Sequence, residues 1–421
     1  VANTFQVVDW LCQESLRLLI NNLAVAPCFN TDYNDEFTKE FAVGETVRVP
    51  YPQNWLVTTG MGYQPQPINR LFTTVTVDQP FGIHFEYDSI EQALKLERGR
   101  EKFKHEYLDK AMAQFAQEID TRAVQFAMAN TNNIVGALGT TPASADIYAQ
   151  ARARLIENGC PPGDKKMIVT PQMMRSLVSN TNAQFNPTDE VAKAFREGYY
   201  GRAQGFDWEE SMSLFSQTTG VWANQATGVQ VTSVNLNSTG AVTSIVVSCT
   251  TGDTFPAGDV ITIAGVNNAN PRTRRSTGTL KNILITQSTV GASSTATLQI
   301  AAGTQGIIGP GSQYQNVDAL PLANAYVALM PGTTMANAQA KTGMNGLALH
   351  RDAFALVGVK LEIPKACEMS SQARDPKTGI SVAFFRMMDP ITRKMVNRFD
   401  VLMGFGALYP DNCAVRIASL Q

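Results

Sequence analysis

Side chains suited to metal or nucleophilic chemistry are few, with three histidines and six cysteines among 421 residues. His105-Glu106-Tyr107-Leu108-Asp109 comes nearest to a ligand helix, an HExxH pattern with Asp in place of the second His. A His and an Asp four residues apart share a helical face, but a stable zinc site needs at least three protein ligands, so the run reads more simply as a solvated helix. His84, Glu86 and Asp88 alternate, and on a strand they would project from one face toward a divalent cation. Phe85 and Tyr87 fill the opposite face, which is what a half-buried strand requires without any ion. Cys12, Cys28, Cys160, Cys249, Cys367 and Cys413 form no CxxC pair and no close framework, so they read as separate reduced thiols. There is no GxSxG elbow, no GxxxxGK[ST] phosphate cradle and no strand-linked GxGxxG. No catalytic residue, cofactor or metal is expected.

Arg272, Arg274 and Arg275 follow Pro271 in a polar stretch. Their guanidinium forks match phosphate, but without interleaved aromatics or further basic clusters they suit a subunit contact or a solvated loop better than nucleic acid. The net charge of −2 excludes a globally basic nucleic-acid binder and an acidic tail. Charged residues make up only 17%, against roughly 25% in an average soluble chain. Phe5 to Ala26 is apolar but holds Asp9, Glu14 and Arg17 and lacks a basic lead-in, which argues against a signal peptide or membrane span and for a cytoplasmic origin.

The elements that must position these groups follow from periodicity. Phe5, Val8, Leu11, Cys12, Leu16, Leu19, Ile20 and Leu23 predict an amphipathic helix over about 4–25, stopped by Pro27. Glu45 to Val49 and Leu71 to Val77 read as strands flanking a Pro- and Gly-rich span, a two-stranded arm that is marginal in water unless it packs on something else. From Ser89 to Asn130 the pattern is helical, divided at Gly99, with Leu108, Met112, Phe115, Ile119 and Phe126 on one face. Helices are expected at Ala145 to Asn158, Pro171 to Val178 and Asp189 to Arg196, around a buried strand at Lys166 to Val169. Residues 221–330 differ in kind. They hold seven of the 70 charged side chains, and β-branched runs at 229–234, 242–247, 260–263, 283–286 and 297–300 alternate with Gly, Asn and Ser turns, the pattern of a small β-barrel or sandwich inserted into a mixed α+β chain. Strand-like runs close the chain at 381–387 and 401–406.

Gly205-Phe206-Asp207, preceded by Gly198 to Arg202 and followed by Ser211, resembles the turn and strand of tailed-phage major capsid proteins. The runs Leu347 to Val357 and Phe399 to Ile417 resemble the same group, and Gly258-Asp-Val-Ile-Thr-Ile-Ala-Gly-Val266 is similar to a unit in the inserted domain of the short-tailed Salmonella-phage (P-twenty-two-type) coat family. The resemblance implies the α+β Hong Kong 97-type capsid fold. It divides the chain into an N-terminal arm (1–40), an extended loop (41–85), a spine helix and peripheral domain (86–135), an axial domain (136–220), an inserted β-domain (221–330) and a completing segment (331–421). It further implies a structural protein that self-assembles as pentamers and hexamers into an icosahedral shell. Its implied partners are a scaffolding protein, a portal, a decoration protein and double-stranded DNA contacted non-specifically, with no membrane. Candidate subunit contacts are Trp55, Met61, Tyr63, Arg70, Arg272, Arg274 and Arg275. One departure stands out, because the family's insertion carries a charged loop where Asn235 to Gly240 is short and uncharged. The rival reading is a Ser/Thr-rich surface-binding or adhesin protein.

Overall fold

The computed structural model describes residues 4–33, 46–88 (apart from 53, 56–64, 67, 69 and 70), 108–181, 201–222 (apart from 215), 229–330 (apart from 239 and 302–304), 340–361, 369–388 and 394–419. Residues 89–107 of the helical stretch expected over Ser89–Asn130, including His105 and Glu106, and the helix expected at Asp189–Arg196 lie outside these residues. The chain divides into two units, one made of Val1–Val49, Thr73–Ala123 and Phe354–Ala407, the other of Pro50–Phe72, Val124–Ala353 and Leu408–Gln421.

In the first unit one sheet carries Thr46–Pro50, Phe72–Asp88, Lys394–Ala407, Ser381–Met388 and Met369–Arg374 in that order, with Phe354–Val359 also paired to Lys394–Ala407. The second strand of the arm, expected at Leu71 to Val77, runs from Phe72 on to Asp88. Its partner supplies the reason, since Lys394–Ala407 offers an antiparallel ladder from Val75↔Gly406 to Asp88↔Lys394. The ladder shifts register between Thr76 and Gln79. Gly404 sits opposite, where a Cβ would collide with the Thr76 carbonyl. The N-terminal helix, Thr4–Asn22, lies on Met369–Arg374 and Ser381–Met388. Cys12, Leu16, Leu19 and Leu23 form its buried stripe, each large side chain worth roughly 1.5–3 kcal/mol when removed from water. Cys12 Sγ donates to the Val382 carbonyl at 3.3 Å. Beyond the helix the chain is held by Asp120, whose carboxylate accepts from the backbone N–H groups of Ala24 (2.8 Å), Val25 (3.1 Å) and Ala26 (2.9 Å). Asp120 belongs to the long helix Asp109–Asn130, in which Met112, Phe115, Ala116, Ile119 and Ala123 are buried.

The second unit contains two seven-stranded sheets. The first runs Asn133–Gly136, Ala414–Ala418, Thr342–His350, Lys165–Val169, Phe206–Glu210, Arg202–Ala203, with Ser216–Thr218 paired to the start of Thr342–His350. It is mixed, with parallel pairs at its Asn133–Gly136 edge and between Lys165–Val169 and Phe206–Glu210. Gln204 (φ 54°) and Gly205 (φ 82°) link Arg202–Ala203 to Phe206–Glu210. Two successive positive φ values are what a tight hairpin turn demands, which explains the glycine of the Gly-Phe-Asp motif. Phe206 and Trp208 then point into the core, where Tyr148 meets Trp208 edge-on at 5.0 Å. Tyr148 comes from the helix Ala145–Glu157, which Ser144 caps by accepting from Asp146 N–H.

The second sheet is antiparallel throughout and runs Ile283–Leu284, Val260–Ile263, Tyr326–Met330, Val229–Leu236, Ala241–Ser248, Thr295–Gln299, with Ile307–Ile308 also on Ala241–Ser248. An antiparallel bridge between Ile285 and Ile300 and the Thr286 N–H to Gln299 carbonyl bond (2.9 Å) join its two edges. The sheet therefore closes on itself around Trp222, Val231, Ile245, Val247, Phe255, Ile261, Ile263, Leu298 and Val327. Strands Ser216–Thr218 and Thr342–His350, which flank this stretch in sequence, pair with each other at Thr218↔Thr342, so its two ends leave the first sheet side by side.

Candidate functional site

Two sets of residues stand out, exposed apolar side chains in and beside the loop between Tyr51 and Leu71 and a buried polar seam between the two sheets of the second unit. At the loop base, Tyr51 N–H donates to the Leu71 carbonyl at 2.8 Å and closes the loop. The Tyr51 ring meets Tyr409 at 4.8 Å and Tyr314 at 5.9 Å, both edge-on, an arrangement that favours the ring quadrupoles. Within the loop so closed Trp55 is 55% exposed and Ile68 is exposed, as is Phe72 at the start of the following strand. Met61, Tyr63 and Arg70 lie outside the described residues.

The three arginines do not act together. They occupy the turn between Asn267–Ala269 and Ser276–Leu280, and Asn270 organises it, its side-chain oxygen accepting from Arg272 N–H and Thr273 N–H. Arg274 takes φ 57° and its guanidinium donates to the Gln313 carbonyl at 3.2 Å, and partial burial pulls its pKa down. Arg272 and Arg275 are exposed. The expected His84, Glu86 and Asp88 row lies on one strand, but Glu86 is bound to Lys394 at 2.6 Å and His84 is exposed opposite Arg398. Among the described residues the histidine, cysteine and acid side chains close enough to share an ion are Cys160, His350 and Cys413 instead.

The seam is made by four charges. Arg416 is fully buried and donates to the carbonyls of Gly258 (2.8 Å) and Met128 and to Gln217 Oε1 (3.3 Å). Gln217 in turn donates to Asp259 Oδ1 at 3.0 Å, and Asp259 Oδ2 accepts from Gly220 N–H at 2.9 Å. Burial pushes the Asp259 carboxyl up to about 6, against the opposing pull of Gly220, Gln217 and Arg416. Burial likewise pulls Arg416 down to about 10, opposed by Asp259. Lys281 Nζ lies 2.7 and 2.6 Å from the two carboxylate oxygens of Asp411, which also accepts from Asn132. The Asp411 carbonyl accepts from Asn133 and Asn158, and Asn268 donates to Asn158 at 2.6 Å. Two of the seven charges in 221–330 thus anchor the closed sheet to its neighbour. Sequence reasoning missed these pairs because nothing local distinguishes Lys281 or Asp259 from solvated charges.

The seam joins structural layers. The family model for the P22 coat protein, gene protein 5, matches residues 68–418. The chain belongs to that family. It is a major capsid protein, a structural protein of the bacteriophage head, and the self-assembling icosahedral capsid of the virion is its place. Members of this coat protein family are not enzymes, and membership decides for the shell over the surface-binding alternative. The fold is mixed α+β, and the Hong Kong 97-type fold is the one expected for it. Among solved structures the coat protein is similar to one from Mycobacterium phage Che8, at 12% identity over 94% of this chain and 90% of that one, with a TM-score of 0.48. It is similar to the capsid of Cyanophage P-SCSP1u at 11% identity, covering 89% and 84%, with a TM-score of 0.41. The CUS-3 coat protein I-domain matches 25% of this chain over 96% of its own length, at 21% identity and a TM-score of 0.19. No curated protein matches the chain. Among the described residues no helix is long and apolar enough to cross a membrane.

Proposed function

We propose that copies of this coat protein join through the extended loop, with Trp55, Ile68 and Phe72 covered by a neighbouring copy, and that the loop tip with Met61, Tyr63 and Arg70 takes part in the same contact. The observation that carries this reading is the exposure of Trp55 and Ile68 within the loop that Tyr51 closes and of Phe72 beside its base. Large exposed apolar groups are stabilised when a partner removes them from water. Arg272 and Arg275, exposed on an ordered turn, suit a second contact with an acidic or carbonyl-rich surface. Arg274 serves that turn from inside.

The division of labour along the chain is an N-terminal arm (1–40), an extended loop whose second strand continues to Asp88, a spine and peripheral part, an axial part, and an inserted module at 221–330. The pairing of Thr218 with Thr342 supports the insertion, since a segment whose ends are adjacent replaces a short loop at little cost in chain closure. Synthesis in the host bacterial cytoplasm, assembly with a scaffolding protein around a portal, addition of a decoration protein and non-specific contact with packaged double-stranded DNA complete the proposal. The test is co-expression of Trp55→Ala and of a Trp55→Ala/Phe72→Ala double variant with a scaffolding partner, followed by negative-stain microscopy. Folded subunits that no longer close shells are expected. Shells formed at the normal yield by the double variant would overturn the loop contact.

A further inference from the structure

Cys160, His350 and Cys413 are distant in sequence, yet one ligand atom from each lies within 4.8 Å of the other two, and all three side chains are buried. Each is placed by backbone geometry. Gly159 ends the helix Ala145–Glu157 at φ 78°, its N–H donating to Ile156 and that of Cys160 to Leu155. This is the reverse turn that commonly closes helices, and it points the residue after the glycine back toward the core. His350 is the last residue of its strand, and Leu349 pairs with Ala414, which sets His350 beside Cys413. Cys413 closes the short helix Pro410–Cys413, which Asn158 grips through the Asp411 carbonyl. The three positions are therefore held before any ion arrives.

We propose that Cys160, His350 and Cys413 bind one zinc ion, with the fourth position taken by water or an external ligand. Two thiolates and an imidazole are the donor set favoured by a borderline-soft divalent cation, and the two thiolate charges neutralise it in a buried setting. Tetrahedral zinc holds such donors roughly 3.5–4 Å apart, which the present spacing reaches with small side-chain adjustments. In the metal-free chain His350 Nδ1 accepts from Asp352 N–H at 3.2 Å and stands 3.6 Å from the Asp352 carboxylate. Zinc on Nε2 would place the ring proton on Nδ1, which would then donate to that carboxylate, the kind of acidic neighbour that orients a ligating histidine. The bound ion would cross-link the end of one helix, one strand end and the segment preceding the final strand. No spacing signature announces the site, and it adds to the capsid role without depending on it.

The test is a cobalt titration of the reduced, metal-free full chain. A thiolate-to-cobalt charge-transfer band that saturates at one ion per chain and disappears when zinc is added is the expected result. Cys160→Ser and Cys413→Ser should abolish the band and His350→Gln should weaken it, whereas Cys12→Ser and Cys249→Ser should leave it intact. Should the serine variants fail to fold, the wild-type chain must show a higher Tm with zinc than with magnesium. No band, a band that survives Cys160→Ser, equal Tm values with the two ions, or a Cys160–Cys413 disulfide in freshly purified chain would each overturn the assignment.

Discussion

Lys281 Nζ is bound by both carboxylate oxygens of Asp411, 130 residues further along the chain, at 2.7 and 2.6 Å, with the two side chains 2% and 5% exposed. The Coulomb attraction of such a pair is offset by desolvation, so its net worth is small, but removing one partner leaves a buried charge uncompensated. Lys281→Met and Asp411→Leu should each destabilise the subunit by about 3–5 kcal/mol, while the double variant recovers most of that loss. Denaturant unfolding of the four proteins checks this. Singles and double that lose equally would show that the pair is not coupled.

The Asp259 carboxyl titrates near 6 in the folded chain, against an ordinary value of 3.8, because burial outweighs its hydrogen bonds and Arg416. A raised folded-state value means that the folded chain holds the proton more tightly than the unfolded one, so this group's contribution to stability falls as pH rises from about 4 to about 6. A shift of about two units corresponds to about 3 kcal/mol. Asp259→Asn keeps an acceptor and removes the titration. The stability of the wild type relative to Asp259→Asn should therefore fall across that window and level off above it, as read from unfolding midpoints at several pH values.

The Asp120 carboxylate accepts from three consecutive backbone N–H groups, those of Ala24, Val25 and Ala26. Hydrogen bonds to a charged group contribute roughly 1.5–3 kcal/mol each in isolation, though not additively, and the donors would be left buried without it. Asp120→Ala should cost about 2–4 kcal/mol and expose the N-terminal helix to protease. Limited proteolysis with mass mapping of the first cut checks this; an unchanged cleavage pattern would mean that the helix is held by its apolar stripe alone.

The Tyr51 clamp refines how the extended loop is to be shortened. Deleting residues 53–69 spares Tyr51, Leu71 and their contacts with Tyr314 and Tyr409, so the subunit should keep its wild-type Tm within a few degrees while closed shells disappear. A deletion that also removes Tyr51 should lower the Tm. Calorimetry and electron microscopy of the two deletions separate the fold contribution from the assembly contribution.

The hydrophobic periodicity of this coat protein, by itself, determined its longer helices and many of its longer strands, while short strands such as Asn133–Gly136 and Ser216–Thr218 left no such trace. The stripe through Cys12, Leu16, Leu19 and Leu23 and the β-branched runs between 229 and 300 are local patterns whose physical cause, burying one face, operates within a few residues. The Gly-Phe-Asp turn was legible only through its family resemblance, and the positive φ of Gln204 and Gly205 supplies its cause. The low charge of 221–330 was legible too, and with it the distinct character of that segment. Tertiary structure alone decided which charges are solvated and which are anchors. Asp259 and Lys281 became buried partners of Arg416 and Asp411 only when strands far apart in sequence closed into neighbouring sheets. The same closure brought Cys160, His350 and Cys413 together. Proximity across the fold depends on strand register and sheet order, and neither leaves a periodic trace in the chain.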